Sequence, residues 1–141
     1  MTDQEIYDQV ALYTLEHART DPSFIHQYVV DAYAAQHAAE VTKTIRTAFA
    51  LIGLYLHVER NYSGKRVQLA HMQLAKKRNQ WPAFEPPAHV GDITVADVLH
   101  AKPGTDRDQM IEQWCAAVWE AWHDSHPQVR DLVRTELAVV Y

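Results

Sequence analysis

The chain has 141 residues, 48% of them apolar and 22% charged, which suits one globular domain with a single core and argues against intrinsic disorder. The formal charge is −5 but unevenly spread. Residues 60–78 carry six Lys or Arg and no acid, which leaves seven bases against eighteen acids elsewhere. One cysteine, Cys115, excludes an internal disulfide and a Cys-based zinc knuckle, and its apolar context predicts a buried thiol. No apolar run reaches the ~18 residues of a membrane span. The acidic, polar start MTDQEIYDQ is not a secretory signal, so the expectation is a cytoplasmic protein with no membrane partner.

Nearly every segment predicts helix. Ile6, Val10, Tyr13 and His17 share one face of a helix from Asp3 to Arg19. Asp21-Pro22 then has the pattern of an N-cap residue followed by Pro at the first helical position, opening a helix over 22–38. A third helix, 42–61, is apolar all round from Ala48 to Leu56 and should be central, with Ser63-Gly64 as its stop. A fourth, 65–79, combines Val67, Leu69, Met72 and Leu74 with many bases.

Residues 81–92, with three prolines, predict an ordered surface loop. Thr94 and Asp97 fit a capping box on a short helix. A long helix runs from Thr105 to Ser125, and Pro127 predicts a kink or restart at His126. The expected fold is therefore all-α: a single domain, 1–141, forming a compact bundle of four to five helices with one Pro-rich loop.

Nine histidines invite a test for metal chemistry. His26, Tyr33 and His37 share a helical stripe, but eleven residues separate the two rings by ~16 Å along the axis. An antiparallel reversal near position 40 would bring His26, rather than His37, level with His57. Arg46, Ala50 and Gly53 precede His57 on nearly the same face, so either a helix packs closely there or a small cavity opens. Cys115, Trp119, Trp122 and His126 line one face of the last long helix, with His123 beside it as an alternative.

Three histidines from three helices, His26, His57 and His126, would suit a divalent metal such as Zn, Ni or Fe with an open position for activated water. The alternative is core histidines hydrogen-bonded to Tyr, Asp or backbone. Asp31 and Tyr33 are candidate ligand-binding or supporting groups, and Trp119 and Trp122 candidate pocket walls. His37 is expected to be structural.

The blocks HxxxxDAYxxQH at 26–37, GLYLHVER at 53–60 and WxxxVWxAWxxxH at 114–126 resemble a family of uncharacterised bacterial proteins with similar His/Asp-Ala-Tyr/Gln-His, His-Leu and Trp-Trp-His blocks. The likeness spans residues 22–134. In that family the second block's histidine typically precedes the apolar pair, whereas here Leu56 precedes His57. A fold-level likeness to DinB-like bundles, many of which bind a divalent metal through three histidines, adds no residue-by-residue match.

These readings imply a protein with a His/Tyr/Trp-lined pocket that binds or acts on a small molecule. The rival is a binding module. Lys65, Arg66, Lys76, Lys77 and Arg78, with Tyr62 and Trp81, could follow a nucleic-acid backbone, or the apolar third or last helix could form a homodimer interface.

Overall fold

The computed structural model describes residues 1–16, 23–40, 43–77 and 80–137. His17, Arg19, the Asp21-Pro22 cap, the expected start at 42 and the end of the fourth helix at 78–79 lie outside the described residues. Among those residues are seven α-helices and no strand: α1 (Asp3–Glu16), α2 (His26–Gln36), α3 (Thr44–Val58), α4 (Gly64–Ala75), α5 (Val95–His100), α6 (Thr105–Ala121) and α7 (His126–Glu136). The protein is all-α, as expected, with more helices than the four or five predicted.

Helix α3 is the centre of the bundle. Ala48 and every residue from Ala50 to His57 is buried, and α2, α4, α6 and α7 pack around it. Its apolar circumference therefore serves intrachain packing. The large exposed hydrophobics among the described residues are Met1, Leu12, Leu15, Leu69 and Met72, none of them on α3, α6 or α7. Neither the third nor the last helix offers the apolar dimer face considered above.

Three local signals were read differently by the chain. Asn61 in the left-handed region (φ 60°) ends α3, its N–H and that of Tyr62 returning to the His57 and Leu56 carbonyls, a conformation Asn tolerates better than most residues. Ser63 instead caps α4, its Oγ accepting from the Arg66 N–H at 3.2 Å. Gly64 is the first residue of α4, and a Cβ there would strike the Phe24 carbonyl.

The break before α7 comes at Trp122, and His126 is helical (φ −55°, ψ −47°). Pro127 is tolerated because it falls in the first turn, where its missing N–H has no intrahelical acceptor. On α4, Val67, Ala70 and Leu74 are buried with His71 beside them, whereas Leu69 and Met72 point outward. The inward face thus follows i, i+3, i+4, i+7 spacing.

The Thr94–Asp97 capping box forms as read from the sequence. The Pro-rich segment 81–92 has no regular structure but is held firmly. Gln36 accepts from the Trp114 indole N–H at 2.9 Å and donates to the carbonyls of Ile93 (2.7 Å) and Val90 (3.3 Å). One buried amide thereby ties α2, α6 and the segment leading into α5 together.

Candidate functional site

The three histidines proposed as metal ligands take separate partners. His26 starts α2 and turns to α1, its Nδ1 2.8 Å from Thr14 Oγ1, and burial lowers its pKa. Tyr28, two residues on and so on the other side of α2, stacks on His57 with centroids 3.5 Å apart. His57 Nε2 lies 2.7 Å from Glu112 and its Nδ1 3.4 Å from the Tyr62 carbonyl. His126 stacks on Trp119 at 3.8 Å and its Nε2 donates to the Trp119 carbonyl at 2.7 Å. Among the described residues no group of three or more His, Cys, Asp or Glu could hold a metal ion.

The remaining candidates divide. Tyr33 is buried in a stack between Tyr7 (4.2 Å) and His37 (4.0 Å), and His37 is anchored by the Tyr33 carbonyl and Asp3, a structural role as expected. Trp119 donates to Glu59 at 2.7 Å and Trp122 to the Ala35 carbonyl at 3.2 Å. Trp122 also borders an open cleft of about 580 Å³ against residues 85–89. His123, the alternative to His126, sits in that cleft on an exposed pairing with Asp124 at 3.1 Å. Cys115 is buried, and burial raises its pKa well above the ordinary thiol range.

Asp31 is where chemistry and space coincide. It lines a cavity of about 290 Å³ between α2, α3 and α4, with Val30, Ala34, Ile45 and Phe49 as apolar wall, Gln27 and His71 as polar wall, and Arg46 as the exposed member. The small residues at 50 and 53 do open space, but the histidine beside them is His71. A Cβ on Gly53 would overlap Asp31 Oδ2 and come within 3.1 Å of His71 Nε2. Glycine at this mid-helix position is what seats the carboxyl.

Hydrogen bonds assign the protonation states. His71 Nε2 lies 2.9 Å from the Phe49 carbonyl, which can only accept, so Nε2 carries the proton. Nδ1 is then an acceptor, 3.4 Å from Gln27 Nε2, whose other hydrogen reaches Asp31 Oδ1 at 3.2 Å. Asp31 Oδ2 is buried with no hydrogen-bond partner.

Burial pushes the Asp31 carboxyl well above the ordinary carboxylate range, against a smaller opposing effect from Gln27, and lowers His71 to about 4. Asp31 Oδ2 and His71 Nε2 are 4.0 Å apart, close enough for an ion pair. The Nε2 proton points to Phe49, and burial disfavours the charged form of both groups. The site thus brings together a buried carboxyl, a buried imidazole and, at its edge, the exposed Arg46 cation.

Neither His71 nor Gln27 stood out in the sequence. Position 71 looked like part of a basic, solvated helix, and the only signal was its place in the Val67–Ala70–His71–Leu74 stripe.

No helix among the described residues is long and apolar enough to cross a membrane. No curated protein and no solved structure matches the chain. The model of the family of unknown function DUF5946 matches residues 4–123, from α1 through α6, and the chain belongs to that family.

Proposed function

We propose that the protein binds a small carbonyl- or carboxylate-bearing molecule in the Asp31 cavity. The observation that carries this reading is the Asp31 carboxyl, which borders the cavity and whose buried Oδ2, seated against Gly53, has no hydrogen-bond partner. An orphan polar atom costs roughly 1–3 kcal/mol, and a ligand oxygen that draws the carboxyl out of the Gly53 notch and accepts its proton would remove that cost. A carboxylic acid kept neutral by an apolar site is a strong donor to such an oxygen. Arg46 supplies positive charge for an anionic end, and Val30, Ala34, Ile45 and Phe49 receive an apolar body. His71, with its proton fixed towards Phe49, holds Gln27 and hence Asp31 in place. No metal enters this reading.

The test is thermal stabilisation by benzoate and by benzamide, with the pH varied. Stabilisation is expected in the wild type and in Asp31→Asn, which keeps an N–H donor where the carboxylic O–H stood, and it should disappear in Asp31→Ala. As pH rises far enough to ionise Asp31, the wild type should lose the effect while the Asn variant keeps it. Arg46→Gln should weaken benzoate more than benzamide. The reading fails if neither compound stabilises the wild type, or if Asp31→Ala responds as the wild type does.

A further inference from the structure

Two outward helix faces carry the same apolar pattern with opposite charge. On α1, Leu12 and Leu15 are 58% and 49% exposed, and the exposed acids Glu5, Asp8 and Glu16 surround them. On α4, Leu69 and Met72 are 47% and 54% exposed, among the exposed bases Lys65, Arg66 and Lys76. The spacing is shared: Asp8, Leu12 and Leu15 stand at i, i+4 and i+7, as do Lys65, Leu69 and Met72. Each set forms a stripe about 60° wide, with the apolar pair in line with the charge.

These four are all the large exposed hydrophobics apart from Met1 among the described residues. Both helices pack on α2 and turn these stripes away from it. Exposed leucines scattered singly need no explanation, whereas these four stand in two pairs, each among charges of one sign.

We propose that the α1 face of one copy docks on the α4 face of another. Leu12 and Leu15 would lie against Leu69 and Met72, with Asp8 and Glu16 opposite Lys65 and Lys76. The match of charge favours a second copy over other occupants, because the acidic amphipathic helix that α4 suits is present in the chain itself. It also accounts for the concentration of bases in 60–78 of an otherwise acidic protein. Opposed charges would set orientation and encounter rate, and the apolar pairs would be the part that excludes water.

Sedimentation velocity of the full chain tests this. In low salt the mean mass should climb above 16.2 kDa as concentration rises, and it should fall back in high salt as the charges are screened. Leu69→Asp should weaken association about tenfold or more. The charge-reversed chains Lys65→Glu/Lys76→Glu and Asp8→Lys/Glu16→Lys should each be monomeric alone and associate when mixed. All these positions are exposed, and unchanged circular dichroism will confirm folding.

The proposal is overturned if the wild type stays monomeric at every concentration, or if association survives Leu69→Asp and the mixed variants show no rescue. It is equally overturned if α4 captures a duplex oligonucleotide in low salt while the protein remains monomeric. The outcome is independent of the Asp31 cavity.

Discussion

Two polar clusters flank α3, and they differ in how completely their groups are satisfied. At its C-terminal end Glu59 accepts from the Trp119 indole at 2.7 Å and from Arg130 Nε and Nη2, with His126 Nδ1 3.9 Å away. Both Glu59 carboxylate oxygens accept hydrogen bonds, and the stacked Trp119 and His126 rings close the cluster. On the α2–α4 side Gln27 links Asp31 to His71, yet Asp31 Oδ2 has no partner and a cavity lies beside it. The first cluster has the character of a structural clamp between α3, α6 and α7. The second has an unfilled valence next to space. Aromatic and histidine content alone pointed to the first, and hydrogen-bond accounting points to the second.

The largest contrast should come from truncation at the clamp. Trp119→Ala removes a buried ring together with its bond to Glu59, and a loss of about 3–5 kcal/mol is expected in urea unfolding. No ligand-dependent stabilisation should be altered beyond that common loss. A variant that instead abolished ligand response while preserving stability would invert the comparison.

Acid sharpens the contrast next. His71 falls from its ordinary 6.5 to about 4 in the fold, so between those values the unfolded chain binds the extra proton and stability rises with pH, by an amount on the order of 3 kcal/mol. Asp31 works the other way. Its folded pKa lies above the unfolded one, so folding takes up a proton there and stability falls as pH rises from the unfolded value towards the folded one. In the wild type the two contributions oppose each other. Asp31→Asn should expose the full His71 slope and be more stable than the wild type at neutral pH, the two converging in acid. Denaturant midpoints across pH measure both.

Gly53→Ala gives the smallest but most specific signal. Alanine is favoured over glycine in a helix by about 1 kcal/mol, yet displacing the Asp31 carboxyl should cost about 1–3 kcal/mol. A net loss is expected in the wild type and a net gain in the Asp31→Ala background. The same sign in both would mean that the carboxyl does not occupy the notch.

Much of the architecture was legible from sequence because it depends on local rules. The apolar circumference at 48–56 identified the central helix, and Thr94 with Asp97 identified the capping box. Ala50 and Gly53 marked a place on the α3 face where either a helix packs closely or a small cavity opens. What fills that place depends on which helix crosses it and at what rotation. Height along the bundle follows from residue count, and on that measure position 26 approaches His57. The face does not: two residues turn the chain by about 200°, so Tyr28 meets His57 and His26 meets Thr14. His71 escaped because a helix rich in Lys and Arg looks solvated until its narrow inward stripe is separated from the exposed Leu69 and Met72.

The central claim is that the fold holds Asp31 as a neutral acid beside an open cavity. Carbon-13 NMR of the Asp31 side-chain carboxyl, followed through a pH titration of the folded protein, reads this directly. The account predicts that this resonance stays at the protonated position after the surface carboxylates have ionised and shifts only well above their range. If the Asp31 signal titrates together with the exposed aspartates, the group is an ordinary carboxylate and the proposed donor does not exist.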